Sequence, residues 1–473
     1  MGRILTNRSF NIDRTTVIIY LFLVMGGLLM IYSVERPPDG YQLDAAGMVG
    51  TLVGKQFIWA IISLVAWFTV NLLIRRESWV LGAYPIYGFT ILLLVAVLLV
   101  GKEINNARSW FSIAGMTFQP SELAKFGTCL AMAAFLSQWR ERLDRFGPIL
   151  SGIAIWALPA ALIVLQPDPG SALVFASFFL VMYREGLPPL LLIFGGFTAL
   201  MFILGILYPP GLLAGGLMCV LMLIMAFSAP RRRRLWMGIA AGIAVVAGAL
   251  QHFGLAGWPV VVVLAALYAG TAAYHTLRKN TRLVTVATTG LLWGCLLAGA
   301  ANFTFNNVLK PHQQNRIDAW LRPERLDERG ALYNIIQAKL AIAAGGLEGR
   351  GLNEGTMTKY NYVPEQETDF IFTAVGEQEG FVGVLILLTG FIALLWRISV
   401  IAERQRMPFA RAYAYGVAGI LLLHLLVNVG MTMGLLPVIG IPLPLISKGG
   451  SSLLSFTLMI AVLLKLDRYR EAL

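Results

Sequence analysis

This chain is poor in charge. Only 13% of its 473 residues are Asp, Glu, Lys or Arg, roughly half the share of a soluble domain. It has three cysteines, Cys129, Cys219 and Cys295, each alone in an apolar segment. That excludes a disulfide framework and a CxxC metal or redox site. Its four histidines, His252, His275, His312 and His424, are scattered, and no HExxH or other zinc spacing is present. No small-residue cleavage site follows the first apolar run, 15–34, so this run is read as a permanent helix and not as a signal peptide. The net charge of +12 comes from basic residues spread over short loops. They form no surface-domain patch, which argues against a nucleic-acid partner.

What the chain has in quantity is hydrocarbon. It is 58% hydrophobic with a mean hydropathy of +0.73. Apolar runs near twenty residues predict an all-α polytopic membrane protein and not a barrel. Such runs occur at 15–34, 56–75, 79–101, 122–138, 149–166, 170–184, 187–207, 210–228, 236–254, 257–277, 283–305, 379–399, 411–434 and 450–466. If all fourteen span, Arg75, Arg76, Arg140, Arg142, Arg145, Arg184, Arg231 to Arg234, Arg278, Lys279, Arg282, Arg397, Arg404, Arg406, Arg411, Lys465, Arg468 and Arg470 share the side of the N-terminus. The positive-inside rule makes that side the cytoplasm and puts both termini there. The loops at 35–55, 102–121, 167–169, 306–378 and 435–449 then face outside. The loop 306–378 is the long one, and within it 331–344 reads as a short amphipathic helix stopped by Gly345-Gly346.

Four constellations carry chemistry. In Gln119-Pro120-Ser121-Glu122-Leu123-Ala124-Lys125, after Asn105-Asn106-Ala107-Arg108-Ser109-Trp110, Glu122 and Lys125 share one helix face just inside a span. Charges placed there face a bundle interior or a water-filled cavity, and a helix-locking ion pair is the plain alternative. Gln166-Pro167-Asp168-Pro169-Gly170 puts Asp168 at the outer edge, as a functional carboxylate or as an ordinary turn residue. In Pro364-Glu365-Gln366-Glu367-Thr368-Asp369-Phe370, Asp369 precedes an apolar stretch, which either desolvates it toward a useful base or makes it a helix N-cap. From Gly434 to Ser452, prolines and glycines interrupt apolar sequence around Ser447, Lys448 and Ser451. This is a simple turn, or irregular backbone lining a cavity where serines, N–H groups and Lys448 meet a phosphate.

In this order the blocks resemble the SEDS family (shape, elongation, division and sporulation), whose members are RodA and FtsW. The matching stretches are Asn105 to Trp110, Gln119 to Lys125, Asp168 to Ala172, Pro364 to Phe370 and Pro442 to Ser452, with Gln314-Asn315-Arg316-Ile317 and Gly345 to Gly351 between them. Lys448 stands where the family more often has Tyr. The resemblance implies a SEDS-type bundle of about 14 transmembrane helices, ten of them core and about four inserted. Its parts are expected at 1–186, 187–282 (the insertion) and 283–473. The short segment before the first run favours the elongation, RodA-like branch over the division branch.

The resemblance further implies a peptidoglycan glycosyltransferase that uses lipid II, sits in the bacterial inner membrane with its active site on the outer face, and works with a class B penicillin-binding protein and other elongation-machinery membrane proteins. Asp369 is the expected base. Arg108, Gln119, Ser121, Lys125, Arg316, Glu365, Thr368, Ser447, Lys448 and Ser451 are the expected substrate contacts, and Glu122 and Asp168 the expected holders of a Mg2+ or Mn2+ ion. A flippase of the lipid-linked precursor and a scaffold that activates a partner enzyme are the rival readings.

Overall fold

Backbone that crosses hydrocarbon must bond its own N–H and C=O groups, and an apolar segment of about twenty residues does so as a helix. The computed structural model of the protein describes residues 12–35, 50–104, 107–113, 116–139, 143–228, 258–326 and 332–470, with Gly238, Gly242 and Gly330. Its helices are α1 (Arg14–Val34), α2 (Leu52–Leu72), α3 (Arg76–Leu81), α4 (Ala83–Val100), α5 (Pro120–Trp139), α6 (Phe146–Leu165), α7 (Pro169–Val174), α8 (Ser177–Arg184), α9 (Pro189–Leu207) and α10 (Pro210–Phe227). After these come α11 (Trp258–Leu277), α12 (Thr281–Asn307), α13 (Pro311–Leu321), α14 (Tyr333–Gly345), α15 (Thr356–Lys359), α16 (Ile371–Gln378), α17 (Gly380–Glu403), α18 (Pro408–Thr432) and α19 (Gly450–Arg468).

Among the described residues, eleven helices are long and apolar enough to cross a membrane. The other three expected runs differ. Run 122–138 is α5, a full-length helix that carries Glu122 and Lys125 near its start. Run 170–184 is broken into α7 and α8, each too short to span. Run 236–254, apart from Gly238 and Gly242, lies outside the described residues, as do Arg140, Arg142, Arg231 to Arg234 and Asn105-Asn106.

The segment 102–121, read from sequence as a loop, contains a three-stranded antiparallel sheet: β1 (Lys102–Ile104), β2 (Ala107–Ile113) and β3 (Met116–Phe118). On β2 the exposed Arg108 and Ser112 flank positions such as Ser109, which is buried. Glu103 pairs with Arg108 and Phe111 with Phe118.

The chain forms two compact units, Met1–Pro189 with Arg316–Leu473, and Leu190–Asn315. The second unit spans most of the expected insertion and continues through α12. Its core packs Met218, Met222 and Met225 of α10 against Leu264 and Tyr268 of α11 and Ala287 of α12. Trp293 of α12 stacks on Phe194 of α9, ring centroids 5.5 Å apart, and donates to Thr198 at 3.1 Å.

In the first unit α18 and α19 are the central pillars. The most apolar windows of these two are 72% and 83% buried, whereas that of the peripheral α6 is 17% buried and presents its side chains outward. The ends of this unit differ in charge. At one end Arg397 and Arg404 grip Asp13 at 2.6 and 2.9 Å. There Arg404 also pairs with Asp467, Arg411 clamps Glu185 with two bonds of 2.8 and 2.7 Å, and Arg76 donates to the carbonyl of Tyr469. The opposite end gathers the starts of α5, α7, α16 and α19 and the last turns of α18. The segment 306–378 is largely structured, with α13 to α16 and a 3-10 turn at Pro323–Arg325. The helix expected at 331–344 is α14, closed by Gly346 at φ +57°.

Candidate functional site

The turn that presents Asp369 is local. Glu365 adopts a left-handed conformation, φ +53°. Its carbonyl then accepts from the N–H groups of Thr368, Asp369 and Phe370 at 3.2, 3.1 and 3.2 Å. The Thr368 hydroxyl closes on the Glu365 carboxylate at 3.2 Å. Phe370, not Asp369, occupies the N-cap of α16, and no side-chain capping bond is made there among the described residues. The capping alternative for Asp369 therefore fails, and its carboxylate is available for other work.

That carboxylate is recessed among protein atoms but keeps an accessible surface. Burial is the main cause that lifts its pKa from the ordinary 3.8 to about 7. Glu365 and Asp168 add like-charge repulsion, Arg316 opposes it, and Glu367 raises it further. A carboxyl poised near neutrality can take a proton in one step and release it in the next.

Asp168 is the N-cap of α7. Its Oδ1 accepts from the Ser171 N–H at 3.0 Å and its Oδ2 from the Gln119 side-chain amide at 2.8 Å. Burial is the main cause that raises its pKa, opposed by the Ser171 bonds and by Lys125 and assisted by Glu122. The two aspartates meet across one loop. A Cβ on Gly170 would stand 2.5 Å from the Ile439 carbonyl, and a Cβ on Gly440 would stand 3.2 Å from Asp369 Oδ2. Only glycine permits both approaches, and Gly440 sits at φ +72°.

Behind Asp168 lies a buried ion pair. Lys125 Nζ donates to Glu122 Oε1 at 2.7 Å, with 0% and 3% of the two side chains exposed. It also contacts His424 Nε2 at 2.9 Å and lies 5.5 Å from the centre of the Phe456 ring. His424 Nδ1 is 3.0 Å from the Pro442 carbonyl. A carbonyl only accepts, so the proton is on Nδ1 and Nε2 accepts from the lysine. Among the described residues Glu122 Oε2 and the Ser121 hydroxyl have no partner.

The segment 437–447 is held from several sides. Asn428 donates to the carbonyls of Asp369 and Ile441, both at 2.8 Å. The Ser447 hydroxyl donates to the Thr368 carbonyl at 2.6 Å and accepts from the Leu443 N–H at 2.8 Å. The Lys448 N–H bonds the Glu367 carbonyl at 2.8 Å, and its ammonium lies 3.6 Å from the Glu367 carboxylate. Ser451 accepts from the Gln119 N–H at 3.4 Å.

The structure thus gathers Asp369, Asp168, Gln119, Glu365, Thr368, Ser447, Lys448, Ser451 and Arg316 at one end of the first unit. It sets three expected site residues apart. Lys125 and Ser121 are fully buried and present no surface to a substrate. Arg108 is exposed on β2, and no hydrogen bond or ion pair among the described residues ties it to the aspartates. Sequence reasoning missed His424 and Asn428. Their signal was present: two polar residues four apart in the apolar run 411–434 share a helix face.

The expected divalent-cation site does not fit these residues. Lys125 already neutralises Glu122, both Asp168 oxygens accept N–H donors, and among the described residues no three His, Cys, Asp or Glu side chains gather as a metal cluster.

Comparison with known proteins gives the family. The family model described as "Cell cycle protein" (FTSW_RODA_SPOVE) matches residues 14–208 and 250–472. The peptidoglycan glycosyltransferase RodA of Treponema pallidum is 32% identical over 457 residues, 95% of each chain. The peptidoglycan glycosyltransferase MrdB of Escherichia coli K12 is 28% identical over 468 residues, 98% of this chain and 95% of that one. Among solved structures, a chain from work on the structural coordination of polymerization and crosslinking by a peptidoglycan synthase complex aligns with a TM-score of 0.61 at 25% identity, over 98% and 99% of the two chains. The rod shape determining protein RodA of Thermus thermophilus aligns with a TM-score of 0.56 at 23% identity, over 98% and 99%, and shares the fold. With a family model matched over most of its length and a relative aligned along nearly all of both chains, this multi-pass membrane protein belongs to the FtsW/RodA/SpoVE family, the SEDS proteins.

Proposed function

We propose that the protein is a peptidoglycan glycosyltransferase that joins lipid II units into β-1,4 glycan strands, with Asp369 as the general base. The 4-hydroxyl oxygen of the acceptor GlcNAc attacks C1 of the donor MurNAc. The new O4–C1 bond forms as the bond from C1 to the phosphate oxygen breaks, and the diphosphate leaves with the electron pair. The hydroxyl proton passes to Asp369. One displacement converts an α-linked diphosphate into a β-linked sugar, so the anomeric centre inverts. Only the hydroxyl needs a carboxylate; the diphosphate needs positive charge. Arg316, whose charge acts on Asp369, and the part-exposed Lys448 supply it.

The observation that carries this reading is the recessed but accessible Asp369 carboxylate, raised to about 7 beside Arg316. The charge difference between the two ends of the first unit supports the orientation: the arginine-rich end faces the cytoplasm with both termini, and Asp369 faces outward. The membrane is the bacterial inner membrane, where prenyl chains lie along exposed apolar helices such as α6. The name of the peptidoglycan synthase complex supports a class B penicillin-binding protein as partner, and the RodA relatives support a role in elongation and cell shape, with other elongation proteins nearby.

The test is polymerisation of lipid II by the purified protein with its partner, followed on a gel and paired with a vesicle assay for lipid II flipping. Glycan polymer should form with wild type and disappear in Asp369→Ala, with flipping unaffected by that change. Flipping without polymerisation would establish the transporter reading instead.

A further inference from the structure

Helix α18 carries two buried polar residues that the chemistry above does not use. His424 and Asn428 are 1% and 0% exposed and lie four residues apart, on one helix face. They take hold of adjacent carbonyls of the same segment: His424 donates to Pro442 and Asn428 to Ile441. The second amide hydrogen of Asn428 goes to the carbonyl of Asp369 itself. That segment cannot hold itself. Pro437, Pro442 and Pro444 have no N–H to give, and 437–443 belongs to no helix or strand. Yet Gly440, within it, lies directly against the Asp369 carboxylate. The position of Asp369 relative to Gly440 is therefore set by α18 together with the Ser447–Thr368 and Lys448–Glu367 bonds.

We propose that His424 and Asn428 are positioning residues for Asp369, pinning its backbone and the Gly440 segment to one face of α18 so that the carboxylate meets the acceptor hydroxyl in a fixed place. His424 also receives the Lys125 ammonium, so the buried Glu122–Lys125 pair braces this clamp from behind. The inference rests on Asp369 being the base. It assigns Lys125 a supporting place, without substrate contact.

The experiment compares kcat and KM for lipid II in the complex of full-length protein and partner, for Asn428→Leu, His424→Leu, His424→Asn and Asp369→Asn. A displaced base slows chemistry and leaves substrate binding alone. Asn428→Leu and His424→Leu should lower kcat about 10- to 100-fold while KM stays within about threefold. His424→Asn keeps an N–H near the Nδ1 position and should recover most of the kcat lost in His424→Leu, although both lose the acceptor for Lys125. Near-normal kcat in the two leucine variants, a loss confined to KM, or His424→Asn as slow as His424→Leu would overturn the clamp. If Asn428→Leu does not fold, the two His424 variants decide alone. The two readings fail differently. Active Asp369→Asn removes the base and the clamp together, whereas inactive Asp369→Asn with normal leucine variants removes only the clamp.

Discussion

Gly440 faces the carboxylate of Asp369 with no side chain between them. A methyl group there would come within 3.2 Å of Oδ2, on a backbone at φ +72°. Gly440→Ala should therefore act twice. It strains the left-handed backbone by roughly 1–2 kcal/mol, and it pushes the base off its position. Polymerisation should fall by about tenfold or more, with lipid II binding retained. A thermal melt and a binding measurement on the same preparation separate the two effects.

The Glu122–Lys125 pair is buried deeply enough that removing one partner strands the other. Lys125→Met alone should destabilise the protein by about 3–5 kcal/mol, whereas Glu122→Gln with Lys125→Met should recover much of that loss. Melting temperatures of the single and double variants in one detergent check this. A double variant no better than the worse single one would contradict the pairing.

Asp369 links function and stability to pH with opposite signs. As the base it must be ionised, so the rate should rise with pH through about 7, the value to which burial lifts it. For stability, a carboxyl raised above its ordinary value favours the fold fully below the unfolded pKa near 4, and that contribution is lost as pH rises through about 7. Asp369→Asn should thus melt higher than wild type above pH 7 and show no such advantage near pH 4. Paired melts across that range test the sign.

Metal removal should leave the free protein unchanged. Without lipid II the purified chain should show no stoichiometric Mn2+ binding by calorimetry, since both Asp168 oxygens accept N–H donors and Lys125 neutralises the Glu122 carboxylate. A one-to-one Mn2+ site lost in Asp168→Asn would contradict this.

Much of the architecture was legible because it rests on one-dimensional signals. Apolar runs set the helices, and the Arg-rich loops between them foretold that Arg397, Arg404 and Arg411 would share one end. Asp369, Asp168, Gln119 and Ser451 were legible as motif residues. What could not be read was reach across the bundle. Lys125 looked like a substrate contact because its partner 299 positions away, His424, was invisible as such. The sheet at 102–118 was hidden because strands of three residues leave almost no periodicity. The break between α7 and α8 was missed because length and hydropathy alone do not reveal a turn inside an apolar run.

The most direct measurement is lipid II polymerisation by wild type and Asp369→Asn, purified with the partner and confirmed folded by thermal melt. This substitution keeps the shape of the side chain and removes the base. Assembly and lipid II binding should be normal, with polymer reduced about 100- to 10,000-fold, the range set by loss of a general base. Polymer at near wild-type rate from Asp369→Asn would contradict this.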